Sequence, residues 1–238
     1  MHTCELEKQV GELVTERPSR SRVFERFGID YCCGGKLPLG AACERRGVNP
    51  EEVVAALEAH DLVAAPEETD WNTASLTELA DHIVATHHAY LRAELPRLDA
   101  MTEKVARVHG DRHAWLSGIR ATFVGLKAEL ESHMMKEEQI LFPLCRRLEQ
   151  ASGAESFHCG SIGNPIRVME HEHDDAGRAL ETLRELSSGF TAPIEACNTF
   201  RAMLDGLHEL EQDLHIHIHK ENNILFPRAI AAEARFSA

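Results

Sequence analysis

Apolar residues recur at steps of three and four through most of the chain, the period of helices packed on one face. Leu6, Val10, Leu13 and Val14 form a first short stripe, and Val23, Phe24 and Phe27 a second that ends at Gly28. In "NPEEVVAALEAH" Asn49 can cap a helix, Pro50 suits its first position, and Glu51 and Glu52 complement its dipole. "LVAAPEETDW" then reads as a linker punctuated by Pro66. This divides the chain into a small helical unit over 1–65 and a larger one over 70–238.

Four longer helices are predicted in the larger unit. "SLTELADHIVATHHAYLRAELPRL" opens on a capping box, Ser75 and Glu78, with Pro96 expected to bend or interrupt it. "WLSGIRATFVGLKAELESHMMKEEQILFPLCRRL" is the second, and "ASGAESFHCGSIGNP" breaks the pattern. The third runs from near Pro165 to about Leu186, and the fourth from about Ile194 into "LFPRAI". Short polar connections between such helices predict an all-α, antiparallel four-helix bundle. Strand-like alternation shows only in "HIHIH", 215–219, inside a helical context.

That run belongs to a repeat. "HMMKEEQILFP" (133–143) and "HIHKENNILFP" (217–227) share seven of eleven residues at a constant offset of 84. In the second helix Phe123, Leu126, Leu130, His133, Glu137, Ile140 and Leu144 step along one inward seam; Leu207, Leu210, Leu214, His217, Glu221 and Ile224 do so in the fourth. Each seam is apolar except for one His and one Glu, a turn apart. A buried unpaired carboxylate costs several kcal/mol, so two such pairs at one depth call for a metal ion or two. The bland alternative is a neutral histidine hydrogen-bonded to a glutamate in a polar core layer. His215 and His219 fall off the seam and are expected on a solvated face.

The third helix places His173 inward with Met169, Ala176 and Leu180, while His171 sits among charged residues. In the first, His88 shares a face with Val84, Leu91 and Leu95, but periodicity does not separate it from His87. Four histidines and two glutamates suffice for two metals only if the carboxylates bridge. A solvent-derived oxo or hydroxo bridge would then leave one position open on each. Mixed imidazole and carboxylate ligation suits iron, and by ligand type manganese or zinc as well. The His-x-x-x-Glu order differs from the Glu-x-x-His of ferritin-like di-iron proteins.

Composition narrows the reading. Fifteen histidines are many for 238 residues, and His is the commonest metal ligand. A net charge of −14 with no Lys/Arg cluster argues against a nucleic-acid surface. No run is apolar enough for a membrane span or a signal peptide, and seven irregularly spaced cysteines fit a reducing compartment, so a cytoplasmic location is expected. Cys32 and Cys33 stand next to Gly34 and Gly35, and adjacent thiols do not readily form a relaxed disulfide. They could hold or pass on iron, or simply occupy a glycine turn. Cys4, Cys43, Cys145, Cys159 and Cys197 are expected to be inert, and His82, His109, His113 and His208 to cap helices or face solvent.

"HMMKEEQILFP", "VMEHEHDDAG" and "ENNILFPRA" together resemble haemerythrin-like domains, and with "DYCCGGK" ahead of them they resemble more closely the iron–sulfur cluster repair di-iron family, of ScdA/YtfE type. The resemblance covers nearly the whole chain. It implies histidine ligands at His88, His133, His173 and His217 and bridging carboxylates at Glu137 and Glu221. It also implies two non-haem irons, a cytosolic location and repair of clusters damaged by nitric oxide or peroxide. Damaged iron–sulfur proteins would then be the partners, and NO or O2 the small ligands. The fifth histidine of oxygen-carrying haemerythrins has no clear counterpart. Iron donation is the leading expectation, with nitric oxide reduction or diatomic-gas sensing as alternatives; an exposed small domain would also allow a homodimer.

Overall fold

The periodic segments fold as helices in the structure, a computed structural model that describes residues 6–63, 69–153 and 157–235. Pro66, residues 154–156 and Cys4 lie outside the described residues. In the N-terminal unit α1 (Val10–Glu16), α2 (Ser21–Phe27), α3 (Leu39–Arg46) and α4 (Pro50–Val63) pack around Leu13, Phe24, Tyr31 and Leu39. Gly28, at φ 65°, ends α2 in the left-handed region, which glycine adopts without a Cβ penalty. Asn49 Oδ1 accepts from the Glu51 amide at 3.0 Å and starts α4. Arg20 is nearly buried and ties the unit together, donating to Leu13 O, Glu16 and Asp61.

The first bundle helix comprises α5 (Leu76–Ile83), a π-helical turn (Val84–His88) and α6 (Ala89–His109). The capping box forms as expected: the Glu78 amide donates to Ser75 Oγ at 3.0 Å, and Ser75 N to Glu78 Oε2 at 2.8 Å. The second comprises α7 (Trp115–Lys136), a π turn (Glu137–Leu141) and α8 (Phe142–Gln150). The third is α9 (Gly163–Leu186); the fourth is α10 (Asn198–Lys220), a π turn (Glu221–Leu225) and α11 (Phe226–Ala234). The second and fourth helices each pack on the first and third, closing a four-helix ring. Among the described residues only two isolated β-bridges occur, and no strand.

Two expectations need correction. Pro96 does not interrupt its helix, because it lies on the solvent face, where the carbonyl it leaves unpaired can be hydrated. Ile140 is not on the seam: it is 41% exposed, and Leu141 is buried instead. Both repeats carry a π turn at this point, so the turn alone does not expose Ile140; what differs is the cover over that face. Ile224, its counterpart in the repeat, stays buried in a cluster with Leu79 and Ile83.

Two apolar clusters fill the bundle. Leu95, Phe123, Leu180 and Leu207 belong to one, and Leu79, Phe142, Met169 and Phe226 to the other. The His and Glu residues form a polar layer between them, since on each helix the ligand candidates fall between residues of the two clusters. Ile218 of α10 packs into the N-terminal core, so the small unit rests on the fourth helix.

Candidate metal centre

Each of the six side chains singled out above is buried, and together they form two groups of four. His88 and His217 meet Glu137 and Glu221 in one group; His133 and His173 meet the same two glutamates in the other. Within a group the donor atoms lie within 4.8 Å of one another. Three of the four helices enter the layer through a π turn: His88 ends one, and Glu137 and Glu221 begin the others. Such turns concentrate at functional sites because the extra residue re-aims a side chain. Helical periodicity could not reveal them.

Each carboxylate faces both groups. Glu137 places Oε2 3.2 Å from His88 Nε2 and Oε1 3.2 Å from His133 Nε2. Glu221 places Oε1 3.2 Å from His217 Nε2 and Oε2 3.1 Å from His173 Nε2. The Nε2 atoms of His133 and His173 approach to 3.0 Å, as two lone pairs aimed at one point would. Both oxygens of Glu137, Oε2 of Glu221 and Nε2 of His88 are buried without a hydrogen-bond partner. Buried carboxylate oxygens are rarely left so. A polar layer satisfied by its own hydrogen bonds would not orphan these atoms, whereas a cation between them would engage all of them. Imidazole nitrogen and carboxylate oxygen are donors that fit iron.

Electrostatics inside the layer is strong. Burial opposes charge on His133, but Glu137 and Glu221 outweigh it and push the ring up to about 9. His88 is likewise raised by Glu137 against the cost of burial. Burial and mutual repulsion would raise the two glutamates, yet the facing histidines hold both below the usual carboxylate range. Without a cation the layer therefore draws protons onto His88 and His133, and a metal must displace them.

Three of the four outer ring nitrogens have partners of their own, and His217 Nδ1 has none. His88 Nδ1 pairs with Glu138 at 2.6 Å, His133 Nδ1 with Glu172 at 2.8 Å, and His173 Nδ1 with Asn222 at 2.8 Å. His87, which periodicity could not separate from His88, is buried but belongs to neither group. It stacks on His217 at 5.1 Å, pairs with Asp213 and accepts from Lys220. His82 stacks on Trp71 and also accepts from Lys220.

The face carrying His215 and His219 is not solvated, which corrects the expectation. His219 is buried, its ring 5.7 Å from Tyr31 and its nitrogens near Tyr31 O and Thr15 Oγ1. His215 meets the same tyrosine at 6.0 Å. Burial lowers both, His219 to about 4. The N-terminal unit covers this face of α10.

Cys32 and Cys33 sit in that same contact. Asp30 accepts from the amides of Cys32, Cys33 and Gly34 and so shapes the turn. A Cβ on Gly35 would lie 2.6 Å from Tyr31 O and 2.7 Å from Asn223 Oδ1, so only glycine lets the turn close against the bundle. Both thiols are free, with sulfurs 3.9 Å apart. Cys32 is buried, and the Cys33 thiol beside it, together with burial, raises it well above the ordinary thiol range. Cys33 is half-buried, 3.5 Å from the carbonyl of His173. Both line a polar cavity of ≈ 200 Å³ with Lys36, Glu170, Asp174, Asn222 and Asn223.

A buried layer of four histidines and two shared glutamates in a four-helix ring defines a haemerythrin-type metal protein. The Hemerythrin HHE cation binding domain matches residues 79–229, and the chain belongs to that family. A second family, ScdA_N, described as a domain of unknown function, matches residues 6–61. The chain is similar to proteins named iron-sulfur cluster repair protein YtfE. It is 43% identical to those of Citrobacter koseri and Escherichia coli O157:H7, and 42% to that of Shigella boydii. Each match covers 95% of this chain and 98% of the relative.

Proposed function

We propose that the chain holds two non-haem irons in the His–Glu layer, bridged by Glu137 and Glu221, and donates iron to rebuild iron–sulfur clusters damaged by nitrosative or oxidative stress. The observation that carries this reading is the way each carboxylate turns one oxygen to each histidine pair. Two cations would then each meet two nitrogens and two oxygens. The repair role follows from the name borne by relatives that match along nearly their whole length, and that name supports repair over nitric oxide reduction or gas sensing.

Bound iron would supply an exchangeable cation whose hold on carboxylates changes with oxidation state. The residues do the rest. His88, His133, His173 and His217 present Nε2 inwards, and three of them are oriented by a partner on Nδ1. The apolar clusters on either side exclude bulk water. The cavity at Cys32 and Cys33 adjoins His173 through Asn222 and is the exit on this reading. Cys33 is the receiving thiol, because Cys32 is held buried and protonated. The role is cytoplasmic; among the described residues no helix is long and apolar enough to cross a membrane.

The test is iron transfer. Protein purified without chelators is expected to carry two irons per chain and to restore the absorbance of an apo-ferredoxin when sulfide is supplied. Replacing Cys33 by Ala should slow that transfer while leaving the iron content unchanged. A fully loaded protein that restores no cluster would rule out donation.

A further inference from the structure

The two halves of the bundle match in their metal-facing residues but differ one layer out. The offset of 84 that equates Glu137 with Glu221 also equates Glu138 with Asn222. Equating His88 with His173, an offset of 85, sets His87 against Glu172. In the first half, helices one and two, both histidines have a carboxylate on Nδ1: Glu138 for His88 and Glu172 for His133. These carboxylates are fixed in turn by Arg92 and Lys136. In the second half His173 has only the amide oxygen of Asn222, and His217 Nδ1 is buried with no partner. The position that would supply its carboxylate holds His87, whose ring stacks on His217.

A carboxylate on Nδ1–H fixes the ring, selects the tautomer with a free Nε2 lone pair and strengthens it as a ligand. An amide oxygen does so less. His217 is worse placed, because its metal-binding tautomer puts a proton on Nδ1 where nothing accepts it. Each group of four draws one histidine from either half, His88 with His217 and His133 with His173. Each cation would thus meet one histidine of either kind, and the difference lies between the two sides of both groups.

We propose that Glu138 and Glu172 are positioning residues that make His88 and His133 the anchoring ligands, and that His173 and His217 are the ligands that release first. The inference rests on the reading of the layer as an iron site. Both releasing histidines lie on the helices nearest the N-terminal unit: Cys33 reaches the His173 carbonyl, and Ile218 enters the N-terminal core. Asn222 bonds His173 and also lines the ≈ 200 Å³ cavity, so a cavity occupant that takes up its amide frees the ring. The side chain that holds His173 is thus one that lines the exit.

The test loads the full-length protein with ferrous iron and follows its loss to ferrozine. Asn222→Asp gives His173 the carboxylate that its counterparts have, and iron loss should slow about tenfold. Glu138→Gln and Glu172→Gln, nearly isosteric, should each speed it by about 10–100-fold. Slowing in Asn222→Asp is a gain that a folding defect cannot mimic, and circular dichroism checks the fold of all three. If Asn222→Asp loses iron no more slowly than wild type, or if neither glutamine variant loses it faster, the inference is overturned. A wild-type chain that binds no iron would instead defeat the reading of the site itself.

Discussion

The N-terminal unit and the bundle each bury charge, and they treat it in opposite ways. In the small unit Arg20 donates from Nη2 to Asp61 and from Nη1 to both Glu16 and the carbonyl of Leu13. That charge is answered by its neighbours, and the network joins α1 to α4. In the bundle, Glu137 and Glu221 are wholly buried, yet three of their four oxygens have no hydrogen-bond partner. A closed network holds a fold together, whereas an open one held rigid by a fold awaits a ligand. Two buried carboxylates alone would distinguish nothing; the orphaned atoms do.

The contrast breaks most sharply at Glu221. Its two oxygens face different histidine pairs, so Glu221→Ala removes a donor from both groups, and on the two-iron proposal loss of both metals is expected by elemental analysis. Full retention would mean that the bundle's buried charge is as structural as that of Arg20. Phe24→Ala probes the other side. Phe24 is fully buried in the N-terminal core, and its truncation should cost that unit about 3–5 kcal/mol in thermal or denaturant melting. Metal content should be unchanged, because no ligand candidate comes from that core.

The smallest effect falls on Asp61→Asn. Glu16 and Leu13 still engage Arg20 in the variant, so the loss should be about 1–2 kcal/mol. Burial would raise the Asp61 carboxyl, but the hydrogen bond and charge of Arg20 hold it below its ordinary value. Its contribution is therefore present above the ordinary carboxyl range and disappears as pH falls through the lowered folded value. Melting curves of wild type and variant should differ near neutrality and converge in acid. A difference that persists in acid would remove the ion pair as its cause.

Much of this was legible in the chain, for identifiable reasons. The capping box at Ser75 and Glu78, the stop at Gly28 and the start at Asn49 are local, and they formed as read. The histidine–glutamate seams were visible because a bundle helix repeats every three or four residues and two helices repeat each other. The π turns are not visible in the sequence, since no residue type demands them, and neither is the cover that buries Ile224 but leaves its counterpart Ile140 exposed. His88 and His87 stayed tied on periodicity because both are buried; only the tertiary arrangement shows that His88 meets Glu137 while His87 turns to Asp213.

What the sequence by itself determined is the helical layout and the polar layer within it, because both follow from which residues share a helix face. Tertiary structure decided what covers the outer faces. A helix carries no signal that a second unit will settle on its polar side, so the sequence leaves His215 and His219 on a solvated face, whereas Tyr31 packs against both and Thr15 against His219. The same holds for the partners of the outer ring nitrogens. Glu172 reaches His133 across 39 residues of chain and Glu138 reaches His88 across 50, distances over which only packing decides which side chains meet.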